Sequence, residues 1–292
     1  MPPSLVSVVI PTYNGVDVID EQLQALSSQQ YDAPMEVIVS DNNSTDGLRD
    51  FIEDHPQASR LNLRWVSASR RQGISHARNA GVAAASGEFV AFCDADDRVH
   101  STWLKALVEA APGADLVSGA LETASINSDE VQKWRRLEPR DEPYSYATYL
   151  PHAMGCNFGV WKSSYQAVGG CDEDMLIGED VDISWRIQQA GMTFAFEPRA
   201  LVAYRLREGL KAAWKQAKAY GTADAILYAK HRHHGFRRSS FRSVATEVAG
   251  LVLLNPLVPQ ALTGLPRGKW VTHAGHLAGR IAGSANQRVI YV

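Results

Sequence analysis

A chain of 292 residues, 45% of them hydrophobic and 21% charged, can bury a large core. Its formal net charge of −3 provides no global pull toward nucleic acid or an anionic membrane, and no nucleic-acid partner is expected. Cys93, Cys156 and Cys171 are too few and too scattered for a disulfide framework or a zinc site, and they point to a reducing compartment.

In chain order, Val6 to Ile10 is an apolar run that reads as a strand, closed by Pro11-Thr12-Tyr13-Asn14-Gly15. Val18, Ile19, Leu23 and Leu26 then recur at helical spacing. Val37-Ile38-Val39 is a second strand, ending in Ser40-Asp41-Asn42-Asn43-Ser44-Thr45-Asp46-Gly47. Asp41 and Asn42 suit an Asx turn at a strand-to-helix loop, and Thr45 or Asp46 suits a helix cap. Leu63-Arg64-Trp65-Val66 is a third strand. A helix is expected over about Ile74 to Ala85, with Ile74, Ala77, Val82 and Ala85 on its apolar face. Arg78 on that helix has a fork that suits phosphate oxygens, although an exposed helix arginine needs no function.

The strand Phe89 to Cys93 runs straight into Asp94-Ala95-Asp96-Asp97. Carboxylates so close together repel one another, and oxygen ligands at this spacing suit Mg²⁺ or Mn²⁺. A solvated acidic turn is the plainer alternative. Strands alternating with helices predict a parallel sheet with crossover helices, and ligands in such sheets bind at the carboxyl ends of the strands.

Asp115 to Ala120 is a further strand. Residues 121–150 are charged and contain proline, which predicts a loop or short-helix insertion. Its Tyr144, Tyr146 and Tyr149 suit a satellite hydrophobic cluster better than a sugar platform. A helix is expected to start near Glu179, because Val181, Trp185 and Gln188 share a face. Glu179, Asp180 and Asp182 in its first turn are favoured by the helix dipole alone. Leu210 to Ala229 reads as another helix, with His231-Arg232-His233-His234 as its basic end rather than a metal site. The apolar stretch Val244 to Leu262 is broken by Asn255, Pro256 and Pro259, which leaves too little to span a bilayer. Two readings of this tail stand. It packs on the catalytic domain or a second subunit, giving a homodimer, or it lies on anionic lipid beside Arg237, Arg238, Arg242, Arg267 and Lys269.

Val6-Ser-Val-Val-Ile-Pro-Thr-Tyr-Asn14, Asp41-Asn-Asn-Ser-Thr-Asp-Gly47, Ala77-Arg-Asn-Ala-Gly81, Ser86-Gly-Glu88, Asp94-Ala-Asp-Asp97 and Gly178-Glu-Asp-Val-Asp182 occur in that order. Over roughly residues 4–230 the chain resembles a family 2 glycosyltransferase of the GT-A fold. The resemblance implies an α/β, Rossmann-like, mostly parallel sheet flanked by helices, with a helical C-terminal extension. It sets a catalytic domain over 1–235, with a donor half at 1–115 and an acceptor half at 116–235, and the extension over 236–292. It implies inverting transfer of one sugar from a nucleotide diphosphate sugar to a glycan, lipid-linked or small-molecule acceptor, assisted by Mg²⁺ or Mn²⁺.

The resemblance assigns Pro11, Thr12, Tyr13, Asp41, Asn42, Arg78, Asp94, Ala95 and Asp96 to the nucleotide, and Asp94, Asp96 and Asp97 to the metal. It assigns the general base to Asp180, with Glu179 beside it. Asn42 departs from a frequent second aspartate, and Tyr204 stands where many relatives carry a metal-binding histidine. Arg205 and Arg207 then become candidates for neutralising the diphosphate. No Gln-x-x-Arg-Trp motif of processive relatives occurs, so single addition is expected. With no basic segment before an apolar N-terminal core, the expected location is the cytoplasm, with peripheral attachment to the inner membrane face left open by the tail. The alternatives are a haloacid dehalogenase-type phosphatase and a noncatalytic nucleotide-sugar-binding protein.

Overall fold

The computed structural model describes residues 1–146, 149–257 and 263–291. The end of the expected tail segment, including Pro259 and Leu262, lies outside them. The chain forms two compact units. One comprises Met1–Ile126, Glu138–Tyr146 and Leu150–Arg205; the other comprises Asn127–Leu137, Tyr149 and the chain from Leu206 onward.

The first unit is built on strands β1 (Val6–Thr12), β2 (Met35–Asp41), β3 (Leu63–Ser67), β4 (Phe89–Phe92), β5 (Arg98–Val99), β6 (Leu116–Glu122), β9 (Phe158–Trp161) and β10 (Phe194–Ala203). They form one sheet in the order β3-β2-β1-β4-β9-β6-β10-β5. A short hairpin of β7 (Tyr144–Ser145) and β8 (Pro151–His152) stands apart from it. Every residue of β1 is buried, as expected of a strand covered on both faces. Its parallel pairing with β2 and β4, and that of β2 with β3, follow from the crossovers through α1 (Val16–Ser27), α2 (Leu48–Glu53), α3 (Ala58–Leu61) and α4 (Ile74–Ala84).

The second half of the sheet is mixed. β9 runs antiparallel between β4 and β6, and β5 antiparallel to β10, while β10 is parallel to β6. The alternation of strands and helices predicts only the parallel half, because β9 is four residues long and is preceded by a turn instead of a helix. Helices α5 (Trp103–Ala110), α7 (Lys162–Ala167) and α8 (Glu179–Gln189) complete the unit. Ile183 and Ile187 of α8 enter the core formed by Val9, Ile38, Val90, Phe92 and Phe158.

At the amino ends of the strands, Glu36 ties the sheet together. It accepts from Ser7 Oγ (2.7 Å), Ser86 N (2.6 Å) and Arg64 Nη1 (2.7 Å), and Ser7 Oγ in turn accepts from Gly87 N. Burial pushes this carboxyl up, but the bonds from Ser86, Ser7 and Arg64 outweigh that and hold it below its ordinary range.

The second unit contains α6 (Asp129–Gln132), α9 (Leu210–His231), α10 (Phe241–Leu253) and α11 (Arg267–Gln287). α9 and α11 meet almost backbone to backbone. A Cβ on Gly279 would lie 2.0 Å from Lys218 O, and one on Gly221 1.9 Å from His276 O, so neither position accepts a side chain without the helices parting. Among the described residues no helix is long and apolar enough to cross a membrane.

Candidate active site

The carboxyl ends of β1, β2 and β4 lie side by side, and each carries the polar residues picked out above. Asn42 N donates to Thr12 O (2.8 Å), joining the first two ends. Pro11 and Thr12 are buried, while the next side chain, Tyr13, is 57% exposed. Asp41 is buried; its Oδ1 accepts from Ser44 N (2.8 Å) and its Oδ2 from Trp65 Nε1 (3.0 Å). Asn42 directs both halves of its amide at one loop: Nδ2 donates to Ala68 O and Arg71 O, and Oδ1 accepts from Gly73 N. The aspartate that often stands at this position could not make the two donations, so Asn42 serves here as a loop brace. Asp46 Oδ1 accepts from Leu48 N (3.3 Å) and its Oδ2 from Val16 N (2.9 Å), but the cap of α2 is Gly47, with φ of +84°, and neither Thr45 nor Asp46 takes that position.

The acidic loop after β4 is held on several sides. Gln22 Nε2 donates to Asp94 O and its Oε1 accepts from Val99 N, both at 3.0 Å. Arg205 N donates to Asp97 Oδ1 (2.7 Å), Arg205 Nε donates to Asp96 O (2.6 Å), and the guanidinium pairs with Glu21. Arg205 therefore acts as a strut for the loop rather than as a cation left over for a diphosphate. Asp94 and Asp96 are half-buried, while Ala95 and Asp97 are buried. Burial, together with the neighbouring charges of Asp94 and Asp96, pushes the Asp97 carboxyl well above the ordinary range.

Oxygens of Asp94 and Asp97 and the sulfur of Cys156 lie within 4.8 Å of one another. Asp97 Oδ2 is buried and has no hydrogen-bond donor among the described residues. Two convergent carboxylates, one with an oxygen unsatisfied, fit a divalent cation with a preference for oxygen ligands. The Cys156 thiol is buried and its pKa pushed well up, so it packs against this pair as a neutral group.

The second acidic motif comes to the same place. α8 begins at Gly178, whose φ of +78° suits glycine, and Glu179 and Asp180 open its first turn as expected. Arg78 is 2% exposed; one guanidinium nitrogen bonds Glu179 and another lies 3.6 Å from Asp94 Oδ1. Arg78 is thus a buried cation shared between the two acidic motifs, not an exposed helix residue. Burial alone would lower its pKa, but Glu179 and Asp94 raise it, so it stays charged. Glu179 is pushed up to about 7 by burial, with Arg78 opposing the rise and Asp180 adding to it.

Asp180 remains half-buried. Its Oδ2 accepts from Gly155 N (2.7 Å) and its Oδ1 from Val181 N (2.8 Å). Asn79, next to Arg78, fastens the loop before α8: Nδ2 donates to Cys171 O and Glu173 Oε1, and Oδ1 accepts from Cys171 N and Tyr165 Oη.

The turn Met154–Asn157, closed by Asn157 N donating to Met154 O (2.8 Å), is the part that sequence reasoning missed. It brings Gly155 to Asp180 and Cys156 to Asp97. A Cβ on Gly155 would lie 2.4 Å from Arg78 Nη2 and 3.1 Å from Asp180 Oδ2, so a side chain there would push into both. Glycine between two apolar segments was the available signal. Of the tyrosine cluster, Tyr144 and Tyr146 pack against His152, Phe196 and Trp185, which is the satellite cluster expected.

The model of glycosyl transferase family 2 matches residues 7–169. The chain belongs to that family. A second model, glycosyl transferase family group 2, matches residues 89–273. Among curated family relatives, the pre-mycofactocin glycosyltransferase of Mycobacterium tuberculosis is 31% identical over 241 residues, covering 77% of this chain and 48% of that protein. Glycosyltransferase AglE of Haloferax volcanii is 30% identical over 198 residues, covering 65% of this chain and 64% of that protein. The chain therefore spans about half to two thirds of the length of these relatives.

Among solved structures, the mannosyltransferase PcManGT of Pyrobaculum calidifontis, in complex with GDP-Man and Mn²⁺, aligns with a TM-score of 0.63 at 20% identity, covering 96% of this chain and 88% of that one. TarS 1–349 of S. aureus, in complex with UDP, aligns with a TM-score of 0.52 at 19% identity, covering 98% and 93%. The fold is the expected GT-A α/β architecture with a helical C-terminal part.

Proposed function

We propose that this chain transfers a single sugar from a nucleotide diphosphate sugar to an acceptor hydroxyl, with inversion. The carrying observation is the convergence of Asp94 and Glu179, from two distant motifs, on the buried Arg78, with Asp180 at the same turn. Family membership favours this reading over a phosphatase, and a binding protein would have no need of a second acidic motif beside the first.

The donor would lie across the ends of β1, β2 and β4. The exposed Tyr13 ring and the Pro11–Thr12 and Asp41–Asn42 segments would line its nucleoside, with Ala95 offering a small surface. Asp94 and Asp97, with Asp96 beside them, would hold Mg²⁺ or Mn²⁺, which when bound supplies positive charge to offset that gathering on the leaving diphosphate. Arg78 keeps the acidic residues together and adds a fixed cation behind them.

Asp180 is the base we assign. Glu179 is 5% exposed and locked to Arg78, whereas Asp180 is half-buried and has two oxygens oriented by main-chain N–H groups. A carboxylate is adequate because the acceptor hydroxyl becomes acidic only as it bonds to the anomeric carbon. The proton passes from that hydroxyl to an Asp180 oxygen as the sugar leaves the diphosphate.

A thermal-shift and calorimetric screen of nucleoside diphosphates with and without Mn²⁺ tests the donor half. The matching nucleotide should stabilise the protein by mass action, more with Mn²⁺ than with a chelator; Asp94→Asn should abolish that difference, and Asp96→Ala should reduce it. Metal-independent binding of equal strength would remove Asp94, Asp96 and Asp97 from the metal role.

A further inference from the structure

We infer that α10 and the arginines preceding it form a docking surface for an anionic lipid bilayer. No residue of α10 is buried. Phe241, Ala245, Val248 and Val252 are spaced i, i+4, i+7 and i+11, which places them on one stripe of the helix. All four are exposed, Phe241 at 86% and Val252 at 64%. The apolar surface continues through Leu253 (71%) at the end of the helix and past it through Leu254 (40%) and Leu257 (93%).

A different side of the same helix is already engaged within the unit. Glu247 pairs with Arg280 of α11, and Trp270 Nε1 of α11 donates to Leu251 O (2.9 Å). The exposed stripe is therefore the side away from α11. A helix that directs its polar contacts inward and its apolar stripe outward has the pattern of an interface-lying helix rather than of a core helix.

Charge identifies the occupant. Residues 232–257 contain four arginines against the single carboxylate of Glu247, and that carboxylate is neutralised by Arg280. Arg237, Arg238 and Arg242 are exposed at the amino end of the stripe. Phe236, just before them, is buried and packs its ring against those of Tyr149, Tyr228 and Tyr291, so the start of the segment is anchored and the arginines emerge from a fixed point. Cations bordering an exposed apolar strip complement the phosphates and acyl chains of an anionic leaflet, whereas a second copy would bring the same positive charge against itself.

The test is co-sedimentation of the full chain with vesicles of phosphatidylcholine, or of phosphatidylcholine mixed with phosphatidylglycerol. Binding is expected to the mixed vesicles, weakening as salt rises. Replacing Arg237, Arg238 and Arg242 by Ala should cost about fivefold in partitioning per arginine. Val248→Asp with Val252→Asp should abolish binding while leaving circular dichroism and nucleotide binding unchanged, since neither side chain is buried. Absence of binding to the mixed vesicles at low salt overturns the inference. So does binding insensitive to both sets of substitutions. A dimer in sedimentation equilibrium that the Val248→Asp, Val252→Asp variant dissociates would instead assign the stripe to a second copy.

Discussion

Arg78→Met removes a buried guanidinium and leaves a flexible apolar side chain of similar reach in its place. Arg78 is 2% and Glu179 5% exposed, so their pair is shielded from solvent. Asp94 keeps 32% of its side-chain surface, and water can take over part of the lost contact there. The cost therefore falls mainly on Glu179. Removing one partner of a buried ion pair costs about 3–5 kcal/mol. At about 2–4 °C per kcal/mol for a unit of this size, the melting temperature should drop by roughly 6–20 °C.

Glu179 can recover part of this by taking up a proton. Even with Arg78 present its pKa is pushed up to about 7, and without Arg78 it rises further. A carboxyl whose folded pKa lies above its unfolded value binds extra protons in the native state. The variant should thus lose stability as pH rises from the unfolded carboxyl range through the raised folded value, and its deficit should be larger near pH ~9 than near pH ~6. Adding Glu179→Gln should restore most of the loss, because no uncompensated charge is then buried. Urea denaturation followed by tryptophan fluorescence across pH measures all three proteins. A single variant within about 0.5 kcal/mol of wild type, or a double variant no more stable than the single, would refute the view that Arg78 holds the two motifs together.

Asp180→Asn should lower the single-turnover rate of donor consumption by about 10²- to 10⁴-fold with little change in donor affinity measured by calorimetry, since basicity is lost at the acceptor side. A near wild-type rate would move the base to Glu179. Glu36→Gln should flatten the acid limb of the stability curve. The wild-type carboxyl is held below its ordinary range, so its contribution is complete above pH 4.5 and lost as pH falls through the lowered value; thermal melts from neutral to acid pH would show this slope. Gly279→Ala gains roughly 1 kcal/mol of helix propensity but sets a Cβ 2.0 Å from Lys218 O, and the overpacking of about 1–3 kcal/mol should win, giving a net loss in denaturant midpoint.

Strand ends and acidic motifs were legible in the amino-acid order because local chemistry alone marks them. Val6 to Ile10, Val37 to Val39 and Phe89 to Cys93 are apolar runs with polar ends, and each forms the expected strand of the sheet. The start of α8 at Glu179 followed from the spacing of its apolar residues and from acidic groups at a helix amino end. These are short-range signals, since each depends on neighbours within a turn or a strand.

The roles of Arg78, Asn42 and Arg205 were decided only in three dimensions. Nothing near Arg78 in sequence tells of Glu179, 101 residues away, and the same helix position would be an ordinary surface arginine without it. The bracing of the loop carrying Ala68, Arg71 and Gly73 by Asn42 has no signal in the residues around it. The antiparallel β9 and the turn at Gly155 carry no periodicity of their own; they exist because β4 and β6 leave a strand-wide gap that Phe158–Trp161 fills. Local pattern therefore determined which segments are strands, helices and acidic loops. Long-range packing determined which charges face one another, because the energy of a buried charge is set by its partners in space and not by its neighbours in the chain.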